Sequence, residues 1–232
     1  MTRFPSRRAE LDAWLAWRPE WWLAAAAVAA WVTLLGLALA GRSAHELSQP
    51  LALPHWTLMS VAMMLPLTLP AARHVGRNSM RRRRVRAMSL YAAAYVLVFV
   101  GFGVVALAAV ALAEPSPALL VPAVLLVAAA WQLSPYKRRA LLACRRTVPL
   151  PPVGRRADTA SLRFGLLQGW RCLVSCWPVM LLMAAAGHLH LLVMAVLTVG
   201  LLVEERSRRT AELLRPGALA FAAAAVVLAA SG

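Results

Sequence analysis

Cys172 and Cys176 stand one helical turn apart in an apolar stretch, directly after Arg171. Residues spaced i, i+4 share a helix face, so both sulfurs can address one object. Thiolates are nucleophiles and soft ligands, and an adjacent guanidinium favours the charged sulfur. Met180 adds a thioether one turn further on. A second sulfur cluster lies far upstream: Met59 and Met63 are also i, i+4, and Met64 adjoins them. Converging thioethers suit Cu(I). Packing is the competing account, because methionine fills irregular apolar gaps and a buried cysteine behaves as a small hydrophobe. Arg171 weighs towards chemistry, since ionisable groups within a membrane span are generally paired or functional.

Weaker candidates surround these two clusters. Gln132 ends an apolar run in Trp131-Gln132-Leu133-Ser134-Pro135-Tyr136-Lys137, where it can hydrogen-bond another helix, and Cys144 follows at a depth that suits a relay with Cys172. His188 and His190 occupy a short turn, with His45 and His55 predicted on the same side; imidazoles there could capture a metal. Glu204 and Glu205 close a later apolar run and are candidates to pair with Arg171 or Arg206.

The elements that must position these residues follow from composition. Hydrophobic residues make up 61% of the 232, and apolar runs of about 20 residues cross a bilayer as helices. Seven are read, at 21–40, 54–72, 88–113, 118–135, 164–186, 189–204 and 216–231, which makes the fold an all-α polytopic transmembrane helix bundle. The absence of alternating polar positions excludes an outer-membrane barrel. The first run is too long, and too richly flanked by tryptophan, for a cleaved signal peptide. Residues 1–20 are expected to form an interfacial amphipathic arm. Residues 21–232 then make a single transmembrane domain, with a long cytoplasmic loop at 136–163.

A net charge of +16 would ordinarily direct attention to nucleic acid. The positions argue otherwise: every basic residue except Arg42 and Arg171 falls on the N-terminal arm or on alternate loops. That asymmetry places the N-terminus in the cytoplasm and the C-terminus outside. The loops are then suited to anionic lipid headgroups, and no groove-reading motif accompanies them. Pro66 and Pro70 should kink or end the second span. Gly165 and Gly169 form a small-xxx-small face for close helix packing. Three cysteines do not make a disulfide framework.

Taken together, these segments resemble a bacterial family of predicted metal-binding integral membrane proteins. The resemblance rests first on Trp56, Met59, Ala62, Met63, Met64 and Pro66. It continues through Gln132, Leu133, Pro135, Lys137, Cys144 and Arg145, and then Gly165, Gly169, Cys172, Cys176, Trp177, Met180 and Gly187; Glu205-Arg206 is similar to its closing Glu-Lys pair. It covers roughly residues 54–206. Two of the family's cysteines are replaced here, by Ser175 beside Cys176 and by Ala140 before Cys144. The resemblance implies a bacterial inner-membrane protein that binds or passes a soft metal. Copper is the expected ion, with a metallochaperone or membrane protein as partner.

The expected metal ligands are therefore Cys172, Cys176, Met59, Met63, Met64 and Met180. Arg171, Cys144, Gln132, His188, His190 and Glu205 are accessory. The alternative is a non-catalytic membrane scaffold without metal. An enzyme with a cysteine nucleophile fits less well, because histidine enters the spans only at their outer ends, at His55 and His190, and none lies deep enough to act as its base.

Overall fold

The computed structural model describes residues 18–40, 49–113, 117–185, 190–207 and 210–231. Among them the chain forms eight α-helices and no strand. They are α1 (Trp21–Leu39), α2 (Gln49–Asn78), α3 (Arg84–Ala113) and α4 (Pro117–Leu133), then α5 (Pro135–Cys144), α6 (Gly154–Ala185), α7 (His190–Arg206) and α8 (Thr210–Ser231). The fold is all-α, as the apolar runs require. All but the last three residues of the arm expected at 1–20 lie outside the described residues, as does His188.

Five helices are long and apolar enough to cross a membrane: Trp21–Leu39, Ala52–Asn78, Arg84–Leu112, Gly154–Ala184 and Glu212–Ala230. A sixth is added if α4 and α5, bent by 71° at their junction, count as one broken span. The seven-span expectation therefore differs at α4 and α7. Each has 17 residues, a rise of about 25 Å against a hydrocarbon core of about 30 Å. Residues 136–163, expected as a loop, instead hold α5, an extended stretch and the first turns of α6. Gly154 supplies the turn into α6 with φ of +81°, a left-handed conformation that costs glycine no Cβ clash.

The bundle is organised around the pair α3 and α6, its most extensive helix contact. Gly165 and Gly169 account for the closeness. A Cβ on Gly165 would sit 2.3 Å from the Tyr91 carbonyl oxygen, and one on Gly169 would sit 2.9 Å from that of Tyr95. Both steps are four residues, so the helices run parallel and in register, with backbone against backbone as the small-xxx-small face predicts. On the other side of α3 packs α2, followed by α1, while α4 packs against α8 and α6.

Of the two outcomes expected at Pro66 and Pro70, a kink or an end, the helix does not end: α2 contains both and runs on to Asn78. A proline inside a helix leaves the carbonyl four residues earlier without its N–H partner. Trp31 of α1 donates its indole N–H to Ala62 O at 3.0 Å, the carbonyl that Pro66 releases. Trp131 of α4 does the same for Val174 O at 3.0 Å, the carbonyl that Pro178 releases in α6. Two tryptophans thus convert proline defects into inter-helix bonds, a repair that apolar surroundings demand. Trp131→Phe keeps the ring packing and deletes the donor. It is expected to destabilise the bundle by about 1–3 kcal/mol, the cost of an unsatisfied buried carbonyl, measured as thermal unfolding in detergent. An unchanged midpoint would show that Val174 O has another partner.

Candidate metal centre

The thiols meet because of what happens at Ser134. Pro135 restricts the residue before it to extended backbone, and Ser134 adopts φ −68°, ψ 136°. Its hydroxyl accepts from Tyr136 N at 3.1 Å, so Ser134 caps α5 and Pro135 occupies the first helical position, where a missing N–H costs nothing. The far end of α5 is fastened by α6. Gln168 Nε2 donates to Cys144 O at 2.7 Å, and Arg171 Nη1 donates to Ala143 O at 3.2 Å. Both donors lie within one turn of Cys172. Gln168 answers an orphan carbonyl of the helix C-terminus, Arg171 adds a second donor to Ala143 O, which also accepts from Arg146 N at 3.1 Å, and together they set Cys144 beside that residue.

All three cysteines are buried and reduced. Cys172 is the middle residue of the three: Cys176 lies one turn beyond it on α6, and Gln168 and Arg171 hold the Cys144 end of α5 against the same segment. The hydroxyl oxygen of Tyr95 in α3 lies 3.1 Å from Cys172 Sγ and 3.3 Å from the Met64 carbonyl, so its single proton faces both acceptors. That hydroxyl puts the methionine segment of α2 and the cysteine segment of α6 at the same depth. Met59, Met63, Met64, Met180 and the three cysteines belong to one contiguous buried core. Ser175, where the resembled family has a cysteine, turns its hydroxyl onto Cys172 O at 2.7 Å, and Ala140 is buried without a polar atom to offer.

Among the described residues, no three His, Cys, Asp or Glu side chains are placed so that they alone could hold a metal ion. This agrees with the linear order of the sulfurs, since three thiols in a row do not close a triangle around one ion. A soft ion at Cys172 can draw on one neighbouring thiol and must take further ligands from thioethers. The donor chemistry fits Cu(I), which accepts mixed thiolate and thioether sets.

A second polar cluster lies against the α4–α5 bend. Lys137 Nζ is 2.7 Å from Glu204 Oε2, and Gln132 Nε2 donates to Glu204 Oε1 at 2.7 Å. Lys137 is only 1% exposed, although its neighbours in the sequence suggest a solvated basic loop. Gly217 of α8 closes over the cluster, for a Cβ there would meet Gln132 Nε2 at 2.9 Å. Gln132 therefore does bond another helix. Glu204 takes Lys137 as partner rather than Arg171 or Arg206, and Arg171 is spent on α5. Glu205 is half-buried and contributes its carbonyl, which accepts from Arg145 Nε at 2.9 Å. Arg145 also donates to Glu204 O at 3.2 Å and so caps the C-terminus of α7. His190 begins α7, and its side chain lies outside the described residues.

Sequence reasoning passed over Tyr95, Met183 and Met194, and it named Lys137 only as part of the family motif, without a role. Met183 follows Met180 at i+3, a spacing that signals a shared face. Met194 and Tyr95 carry no such local signal, because what brings them to the sulfurs is packing between helices.

Fold and centre together define a helical bundle whose core is built from soft sulfur donors and held in register by buried polar bonds. The chain matches the sequence profile of the PpoB2 copper chaperone family over residues 53–228, and it belongs to that family. The expectation of a copper-related bacterial family is thereby supported. Neither the curated proteins nor the solved structures contain a match to this chain.

Proposed function

We propose that this protein is a membrane-embedded copper chaperone that holds Cu(I) within its helix bundle and yields it to a protein partner. Cys172 is the central ligand, Cys176 or Cys144 the second thiolate, and Met59, Met63 or Met64 the thioether that completes the set. The single observation that carries this reading is the Tyr95 hydroxyl. By reaching both Cys172 Sγ and the Met64 backbone, it brings together two sulfur clusters that lie a hundred residues apart in sequence. Family membership supports copper as the cargo.

The ion stays Cu(I) throughout, and each thiol that becomes a thiolate ligand releases one proton. Tyr95 donates to the Cys172 sulfur, which eases its charge in an apolar site. The orientation follows from the basic loops, with the N-terminus and the α5 end of the site cytoplasmic, where anionic headgroups meet the arginines. Cys144, at the end of a helix rather than within the long apolar segments, is the thiol a cytoplasmic partner would reach first.

The test is metal analysis of the purified chain, loaded with Cu(I) under reducing conditions, beside a Cys172→Ser/Cys176→Ser variant. The parent chain should retain copper through desalting, and the variant should lose the tightly held ion. Equal, sub-stoichiometric copper in both would leave only a scaffold of packed helices.

A further inference from the structure

The sulfur donors do not stop at the thiols. Cys172, Cys176, Met180 and Met183 follow each other at i, i+4, i+8 and i+11 along α6, a spacing that keeps all four on one face. Each is no more than 3% exposed. Four successive sulfur positions on a buried face extend over about 16 Å of helix axis. Beyond Met183, α6 ends at Ala185 and α7 begins at His190, so the two helices form a hairpin. Met194 lies one turn into α7, as Met183 lies half a turn before the end of α6, and both belong to the core that holds Cys176 and Met180. Met194 is fully buried.

We propose that Met180, Met183 and Met194 form a second Cu(I) station, made of thioethers alone, at the hairpin end of the sulfur row. The inference rests on the function proposed above and names a ligand set which that reading does not contain. Three neutral thioethers hold Cu(I) without releasing a proton or neutralising its charge. The thiol station does both, so it binds more tightly. An ion entering at the hairpin gains affinity as it steps from Met183 and Met194 through Met180 to Cys176 and Cys172, one ligand exchanged at a time. No electron is transferred at any step. The row has a direction built into its chemistry: soft and weak at one end, soft and strong at the other, with Cys144 as the exit.

The experiment uses the full chain in detergent, loaded anaerobically with Cu(I), with ions counted per chain and their ligands read by X-ray absorption at the copper edge. The parent chain should bind two ions, one in a sulfur environment containing thiolate and one in thioethers only. Met183→Leu/Met194→Leu keeps side-chain volume, and it should bind one ion with the thiolate spectrum intact. Cys172→Ser/Cys176→Ser should also bind one, with the thioether spectrum. Met183→Leu alone should weaken the second ion without changing helical content. If the methionine variant keeps the parent stoichiometry and spectrum, these methionines are packing and the inference is overturned, while the thiol site stands. A parent chain that holds no copper overturns both.

Discussion

Lys137→Met is expected to cost this protein more stability than any other single substitution outside its glycine contacts, on the order of 3–5 kcal/mol, the typical penalty for orphaning one partner of a buried ion pair. Glu204 would keep its bond from Gln132 but lose the ammonium at 2.7 Å, in a position where water does not replace it. Removing both charges should undo most of the damage. In Lys137→Met/Glu204→Gln, the Gln132 amide still finds an oxygen and no charge is left buried, so much of the loss returns. Thermal unfolding of the parent chain and both variants in one detergent, followed by tryptophan fluorescence, reads the difference. A double variant no more stable than Lys137→Met would mean the pair is not what holds the α4–α5 bend to α7. The comparison also separates stability from chemistry: a refolded double variant that still binds copper would place the ion pair in the frame and not in the metal site.

That ion pair illustrates what could and could not be read in advance. The helices were legible because long Ala- and Leu-rich runs leave the backbone no better way to satisfy its hydrogen bonds in an apolar medium. That α6 carries a close-packing face was legible too, since Gly165 and Gly169 announce a place where backbone meets backbone, although not that α3 is the helix that fills it. Lys137 was not, because it sits in a run with Arg138 and Arg139, and local composition cannot say which of three adjacent cations turns inward. The helical phase decides that: α5 exposes Arg138 and Arg139 and buries Lys137, Ala140, Leu141 and Cys144. The same hidden helix explains why residues 136–163 looked like a loop, since ten residues dense in charge show little apolar signal. Pro66 and Pro178 both lie inside helices. Each is a helix breaker only if its orphaned carbonyl stays orphaned, and Trp31 and Trp131 come from distant segments to repair it.

The candidate site divides along the same line. Spacing within one helix exposed Cys172 with Cys176 and Met59 with Met63, because i, i+4 is a local relation. Tyr95 was invisible, although it is the residue that joins the two pairs, because nothing near it in sequence contains sulfur. Arg171 was visible but misassigned. Its charge drew attention to a carboxylate, yet a guanidinium one turn from a helix C-terminus finds backbone carbonyls nearer at hand, and Ala143 O takes it.

Cys172→Ser should abolish tight copper binding as completely as Cys144→Ser/Cys176→Ser does, although it removes one thiol where the double variant removes two. The reason is the order of the sulfurs. Cys172 is one turn from Cys176 on α6 and within a turn of Gln168 and Arg171, which hold the Cys144 end of α5, and among the described residues the three thiols do not converge as one three-ligand group, so each two-thiol arrangement is expected to include the middle one. Losing Cys144 alone leaves the pair Cys172 and Cys176, and losing Cys176 alone leaves Cys172 and Cys144. Each of those single variants should keep measurable affinity. Removal of an outer-sphere partner costs a metal site about 10–100-fold, and loss of the central ligand is expected to exceed that range. Competition for Cu(I) against a calibrated chelator gives the four affinities. Equal losses for Cys172→Ser and Cys176→Ser would mean that the thiols close around the ion as a triangle once it binds. In that case Cys144 must move towards Cys176, and the contacts from Gln168 and Arg171 that pin the end of α5 would have to break for copper to enter.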